Sequence, residues 1–408
     1  MIFITRVAEL ILFVRCWLVS AQSKCRKEVS VYINFKNGSS CTRYLPQWNL
    51  APITKEHIQE TNTCTTTSSL KMKTVIAFLF LLGLLAIQSA ALRTLKDEAM
   101  VERHEQWMSL HGRVYNDDAE KERRFQIFKN NVEFIEAFNK AGKLPYKLGV
   151  NQFADLTNEE FKASSNGFKA SSSLKLIRGA SFKYENVTAV PATMDWRKKG
   201  AVTPIKDQGQ CGSCWAFSAI AATEGITKLS TGKLISLSEQ EIVDCDRTSQ
   251  DQGCNGGEME DAFAFIVKNK GIASEATYPY TAADGTCSKT KEAAHAAKIA
   301  GYEKVPANNE AALLKAVANQ PVSVAIDASG MAFQFYTSGV FTGDCGTDLD
   351  HGVTAVGYGK ASNGTKYWLV KNSWGTSWGE SGYIRMQRGI SAKEGLCGIA
   401  MDSSYPTA

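Results

Sequence analysis

Cysteine placement constrains this chain more than any other feature. Of 11 cysteines, four lie in the first 64 residues, none lies between 65 and 210, and seven lie in the C-terminal half. Those seven are Cys211, Cys214, Cys245, Cys254, Cys287, Cys345 and Cys397. An odd set in a chain of secreted type predicts three disulfides and one free thiol, without saying which thiol is free. A structural zinc site is the rival use, but Cys211 and Cys214 are not followed by a second close pair, so no metal is expected. Both lie in Asp207-Gln208-Gly209-Gln210-Cys211-Gly212-Ser213-Cys214-Trp215, a glycine-rich turn leading into helix-forming residues 216–222. Cys214 then opens a helix, where the dipole lowers a thiol's pKa and favours the thiolate.

The chain of 408 residues has room for two or three units, each burying a core. Its net charge of +5 is uneven: residues 190–408 hold 20 Lys and Arg against 23 Asp and Glu, or −3, leaving +8 on residues 1–189. A mildly acidic C-terminal half argues against nucleic acid as a partner.

Residues 72–91 read as a signal peptide: Lys73, about thirteen apolar residues, then small residues ending near Ala91. The apolar run is short for a membrane span. A start at Met72 makes residues 1–71 a spurious or unstructured extension; the competing reading starts at Met1, with residues 1–22 as signal or anchor. Residues 95–165 are charged and helix-rich. Glu120, Arg124, Phe128, Asn131, Ile135 and Asn139 recur at spacings of 4, 4, 3, 4 and 4, one face of a long helix. Polar members inside that stripe suit a seam of hydrogen bonds better than a dry coiled coil. Residues 166–189, rich in Ser, Ala and Lys, read as an exposed cleavable linker. Asn186 and Asn363 open glycosylation sequons, which suits a secretory route.

After the Cys214 helix, residues 238–241 start a short helix and residues 258–269 a third, with Met259, Ala262, Phe263 and Ile266 apolar. From Pro321 the period falls to two over 322–326, 352–356, 367–370 and 383–386. A helical half followed by a β half predicts an α+β fold of two subdomains with a cleft between them. A thiol nucleophile needs a base, and the base an orienting acceptor. Of five histidines, His57, His104 and His111 fall in the N-terminal half, and His295 sits in a polar, alanine-rich stretch read as solvated surface. His351 remains. Asn372-Ser373-Trp374-Gly375 follows a strand and, on spacing alone, reads as a packing turn.

Together these residues resemble the papain family of cysteine proteases, in its cathepsin L-like branch close to the plant senescence-associated enzymes. Residues 120–139 match the family's E-x3-R-x3-F-x2-N-x3-I-x3-N pro-segment pattern, and Gly149, Asn151, Phe153 and Asp155 match the G-x-N-x-F-x-D pattern after it. The C-G-S-C-W run is the family's nucleophile pattern, and His351 follows Cys214 by 137 residues, within its usual interval of about 130–150. Val190-Pro191-Ala192 resembles a mature N-terminus. The resemblance covers about residues 97–408.

It implies a papain-like fold with a helical half and an antiparallel, β-barrel-like half, preceded by a helical inhibitory propeptide. The implied divisions are a signal peptide at 72–91, a propeptide at 92–189 and a protease domain at 190–408. Cys214 is the implied nucleophile, His351 its base, Asn372 the orienter, Trp374 a shield and Gln208 an oxyanion donor. The implied disulfides are Cys211–Cys254, Cys245–Cys287 and Cys345–Cys397. Gly256 and Gly257 would bind substrate backbone, while Met259, Ala325 and Asp402 would line the pocket for the second residue before the scissile bond. Asp402 either admits basic side chains there or turns to solvent. The expected activity is peptide-bond hydrolysis without a cofactor, by a monomer held by its own propeptide until acid weakens the propeptide's carboxylate contacts. Cystatin-type inhibitors are implied partners, and a vacuole, lysosome or the extracellular space the implied destination. The rivals are a catalytically silent binding or storage relative, which usually lacks nucleophile or base, and a free-standing inhibitor, which would lack the 219 residues after 189.

Overall fold

The N-terminal helical segment forms because its polar stripe finds backbone acceptors in the loop that follows it. The computed structural model describes residues 66–170, 182–247, 250–343 and 345–408; the extension read at 1–71 falls outside them up to residue 65, as does the middle of the linker, 171–181. Helix α1 (Thr66–His111) takes in the apolar stretch and continues past it, with Phe80 72% and Ile87 67% exposed. Among the described residues this is the helix long and apolar enough to cross a membrane.

Helix α2 (Asp118–Ala141) starts where Asp117 accepts a bond from the Glu120 N–H and stops at Gly142, whose φ of 61° suits glycine. Phe128, Asn131 and Ile135 of the stripe are buried. Asn131 Nδ2 donates to the carbonyls of Ala154 and Leu156 at 2.8 and 2.9 Å, and Asn139 brackets Leu148 with one bond each way. Arg124 Nη1 joins Asp155 O and Glu160 Oε2 at 3.0 and 2.7 Å. Leaving such a buried carbonyl unmet costs about 1–3 kcal/mol, so the hydrogen-bonded seam outweighs a coiled-coil reading. Strand β1 (Tyr146–Leu148) and helix α3 (Asn158–Ser165), with a Thr157–Glu160 capping box, complete this segment.

The C-terminal half begins with β2 (Met194–Asp195), α4 (Cys214–Thr231), α5 (Glu239–Cys245) and α6 (Met259–Lys268). A small pair, β3 (Ile272–Ala273) with β4 (His295–Ala297), flanks the short α7 (Lys289–Glu292). Strands then dominate: β5 (Gly301–Lys304), β6 (Val322–Ile326), β7 (Tyr336–Phe341), β8 (His351–Lys360), β9 (Lys366–Lys371), β10 (Tyr383–Gln387) and β11 (Ser403–Thr407). Helices α8 (Glu310–Asn319) and α9 (Met331–Gln334) lie among them. The main sheet runs β1-β7-β10-β9-β8-β6-β11-β5, with β2 on β8.

The papain-like division into a helical half and a sheet half is present as expected, and the sheet itself stays open. Its end strands β1 and β5 each pair on one side, and β7 meets β10 in parallel rather than antiparallel register. The edge of β7 is instead taken by β1, a three-residue strand from the N-terminal segment. Two cores result: one joins the sheet to Trp107, Phe128 and Phe161 of the N-terminal segment, the other packs α4 on α6 through Ile220, Ala262 and Phe263. Burying a side chain such as Phe263 contributes about 1.5–3 kcal/mol. Helix α4 lies against β8, which sets Cys214 beside the start of that strand.

Candidate active site

Three disulfides, Cys211–Cys254, Cys245–Cys287 and Cys345–Cys397, use six of the seven C-terminal cysteines, and Cys214 is free and buried. With Cys211 in a disulfide, the Cys211/Cys214 pair offers no two-thiolate metal site. The Cys211 bridge draws backbone so close that a Cβ on Gly212 would meet Cys254 O at 2.6 Å. Tyr280 Oη fixes the same turn, donating to Gln208 O at 2.8 Å and sharing a 2.7 Å bond with Ser213.

Cys214 is the first residue of α4, and its Sγ accepts from the Gly352 N–H at 3.4 Å. His351, next to Gly352, is fully buried; its Nε2 lies 2.8 Å from Asn372 Oδ1, and its Nδ1 has no hydrogen-bond partner. The Asn372 oxygen also accepts the Ser373 N–H at 2.8 Å, so it acts as acceptor and assigns the proton on Nε2 to the histidine. Trp374 stacks on the imidazole, centroids 4.5 Å apart. Gln208 Nε2 donates to Cys211 O and Ser165 O at 2.8 and 3.0 Å, while Ser373 Oγ donates to Gln208 Oε1 at 2.6 Å. His295 lies on β4, exposed and apart from this group.

The N-terminal segment covers the site. Phe153 and Phe161 meet the Trp374 ring edge-on at 5.5 and 5.1 Å, and Gln152 Nε2 donates to Trp374 O at 2.6 Å. Asn151 Nδ2 donates to Gln334 O at 2.7 Å, and a Cβ on Gly149 would press Thr337 at 3.0 Å. Residues 165–169 then run along the cleft. The N–H groups of Gly167 and Phe168 donate to Asp350 O at 3.0 Å, and Asn166 Nδ2 donates to Asp350 Oδ2 at 2.7 Å. Gly257 donates to Gly167 O and accepts from Lys169 N, both at 2.9 Å, in a parallel bridge centred on Phe168. A Cβ on Gly167 would fall 2.0 Å from Gly212 O, so only glycine fits. Gly256 is equally tight: a Cβ there would meet Gly167 O at 2.5 Å.

This cover reverses the expected electrostatics. Helix position and the Gly352, Gly167 and Trp215 N–H groups favour a thiolate, but burial outweighs them and pushes the Cys214 thiol up to about 12. Burial likewise pushes His351 down to about 4, against the Asn372 bond that raises it. Both groups are therefore neutral at pH 7 while covered. Asp350, beside them, is pushed up to about 6 by burial, despite bonds from Ala328 and Asn166.

Met259 and Ala325 are fully buried in one apolar cluster with Phe168, and Ala325 N donates to Asp402 O at 2.9 Å. The Asp402 carboxylate faces Lys304 at 3.8 Å rather than open solvent. Asn186 and Asn363 are both exposed, the latter in a turn where its Oδ1 accepts the Thr365 N–H at 3.1 Å. Sequence reasoning missed Ser373, Tyr280, Asp350, Glu258 and Glu260; for Ser373 and Asp350 the available signal was adjacency to Asn372 and His351, whereas Tyr280 joins the site through tertiary contact with Ser213 and Gln208.

Residues 190–407 match the family described as papain family cysteine protease, and residues 104–161 match the cathepsin propeptide inhibitor domain. The chain is 64% identical to the senescence-specific cysteine protease SAG39 of Oryza sativa subsp. japonica over 340 residues, 81% of this chain and 98% of the relative. It is 60% identical to vignain of Ricinus communis over 315 residues, 76% of this chain and 86% of the relative. Among solved structures, a recombinant stem bromelain precursor is 53% identical with a TM-score of 0.70, covering 76% of this chain and 99% of that one. Digestive procathepsin L 3 of Tenebrio molitor is 41% identical with a TM-score of 0.69, covering 76% and 99%.

Proposed function

The chain belongs to the papain family of cysteine proteases and is made with an inhibitory propeptide, and from that premise we propose that Cys214 and His351 cleave peptide bonds once residues 165–169 leave the cleft. The observation that carries this reading is the unpartnered, buried Nδ1 of His351 beside a thiol whose neighbour, Gly352, already bonds Sγ. With the cover gone, the Cys214 proton passes to Nδ1, while Asn372 holds Nε2 and Trp374 keeps water from that bond. The thiolate attacks the substrate carbonyl. The developing oxyanion takes the Cys214 N–H and the Gln208 Nε2–H that Ser165 O now accepts, a donor of the kind worth about 3 kcal/mol. Imidazolium protonates the leaving amine, and His351 then activates the water that hydrolyses the thioester.

Gly257, whose N–H and carbonyl both bond the covering strand, would bind substrate backbone in its place, with Gly256 beside it. Met259 and Ala325 form an apolar pocket that Phe168 now occupies, with Asp402 near its end. Further parts of this reading are maturation near Val190, a signal peptide at 72–91, glycosylation at Asn186 or Asn363 and delivery to a vacuolar, lysosomal or extracellular site. A monomeric mature enzyme open to cystatin-type inhibitors also belongs to it.

Acid supplies the release. Burial holds His104 and His111 below the ordinary 6.5, so the folded propeptide resists charging them. Burial tends to raise Glu160, but bonds from Arg124 and the Thr157 N–H outweigh it and hold it below 4.5. In each case the folded propeptide binds protons more weakly than the unfolded one. Its stability is thus present above the ordinary pKa values and is lost as pH falls, from about 6.5 for the histidines and from about 4.5 for Glu160. Purified precursor is expected to persist at pH 7 and to shorten to the mature size at pH 4–5 by about the mass of its propeptide. A Cys214→Ala precursor that matures equally well without added protease would refute self-cleavage.

A further inference from the structure

One buried group in the cleft has no role in the chemistry above. Glu258 stands between Gly257, which bonds the covering strand, and Met259, the first residue of α6. It is 3% exposed, and its Oε1 has no hydrogen-bond partner. A carboxylate oxygen so placed is costly unless it carries a proton or meets a cation.

Glu260 and Asp402 each bring a carboxylate oxygen within 4.8 Å of that of Glu258 and of one another. Lys304 is committed to two of the three: its Nζ lies 2.7 Å from Glu260 Oε2 and 3.8 Å from Asp402 Oδ1. Glu258 is left over. The other acidic groups around it offer no cation: Asp261 on α6 adds repulsion, and Asp251, which accepts the Glu258 N–H at 2.8 Å, is itself pushed up to about 9 by burial and by Asp246. The apolar wall of Met259 and Ala325, packed by Phe168, adjoins this cluster: Met259 stands between Glu258 and Glu260 in the chain, and Ala325 N bonds the backbone carbonyl of Asp402.

Resting on the assignment of this cleft as the substrate site, we propose that Glu258 receives the guanidinium or ammonium of a substrate side chain two residues before the scissile bond. The methylene stem of an Arg or Lys would lie along Met259 and Ala325, as Phe168 does, and its cationic head would meet the unpaired Oε1. Asp402 backs Lys304 and is the lesser receptor. A Leu or Phe uses only the apolar wall. Burial, with Glu260 and Asp402 adding repulsion, pushes Glu258 up to about 8; burial and Asp402 push Glu260 up to about 7. Both hold protons at pH 5 in the covered precursor, and the charges acting on Glu258, those of Glu260, Asp402, Asp261 and Lys304, all belong to the protease half and stay when the cover leaves. Acceptance of a cation therefore grows as pH rises toward 8, and an apolar side chain gains nothing from that ionisation.

The test uses acid-matured enzyme, active-site titrated at each pH, and three peptide substrates differing only at that residue: Arg, citrulline and Leu. Citrulline keeps the shape of Arg without its charge. The Arg-to-citrulline ratio of kcat/KM is expected to rise about tenfold between pH 5 and 8, a change of the size a single ion pair supplies. Glu258→Gln should remove most of that rise and lower the Arg-to-Leu ratio, and Asp402→Asn should do so less. A ratio flat with pH in the unmodified enzyme overturns the proposal without any variant. So does Glu258→Gln with ratio and slope intact, or Asp402→Asn abolishing the slope alone. Failure to hydrolyse any of the three overturns the assignment of the cleft itself, and this proposal with it.

Discussion

Replacing His351 by Ala is expected to lower peptide hydrolysis by about 10⁴-fold or more, and Cys214→Ala to lower it at least as far. Each removes a group the other cannot replace. Without His351 the thiol has no acceptor for its proton, since its described hydrogen-bond contacts are the N–H groups of Gly352, Gly167 and Trp215, all donors. Without Sγ the imidazole has nothing to activate. Because the pair acts as a unit, the double substitution should cost little more than either alone. The check is kcat/KM on a fluorogenic peptide, with variant zymogens matured by added wild-type enzyme that is then removed. A catalytically silent relative would show no difference between variants and wild type; its prediction is flat.

Thiol reactivity should change almost as much on release of the propeptide. In the covered site burial pushes Cys214 up to about 12 and His351 down to about 4. A thiol with that pKa is about 10⁻⁵ thiolate at pH 7, whereas a solvated thiolate–imidazolium pair is largely ionised across neutral and mildly acid pH. Iodoacetamide should therefore alkylate Cys214 at least about 10³-fold faster in mature enzyme than in precursor at pH 6.5. The precursor rate should climb with pH, while the mature rate stays nearly level from pH 5 to 8. Mass analysis of the Cys214 peptide reads both. Equal rates would mean that the segment at 165–169 does not control the thiol.

The periodic parts of this fold were legible because local chemistry decides them. Spacing placed the stripe from Glu120 to Asn139 on one helix face, and its Asn residues did find backbone carbonyls. Alternation placed the strands, although β8 begins at His351 rather than Gly352. The strand order at the sheet's edge was not legible, because whether β7 keeps a free edge depends on β1 arriving from almost two hundred residues away in the chain. The thiol's state was misjudged for a related reason. Helix position is local and favours the thiolate, but burial under Ser165, Asn166 and Gly167 is tertiary and outweighs it. Glu258 was overlooked because a glutamate ahead of a helix reads as an ordinary helix start, and only packing shows its oxygen left without a donor.

The most direct test of the Cys214–His351 assignment is to treat acid-matured enzyme with a peptidyl epoxide that reacts with thiols and to map the adduct. The account predicts one equivalent bound to Cys214 Sγ, with hydrolysis lost in proportion to labelling, and no adduct in the uncleaved precursor at pH 7. An adduct on any other residue, or hydrolysis that survives complete modification of Cys214, would contradict it.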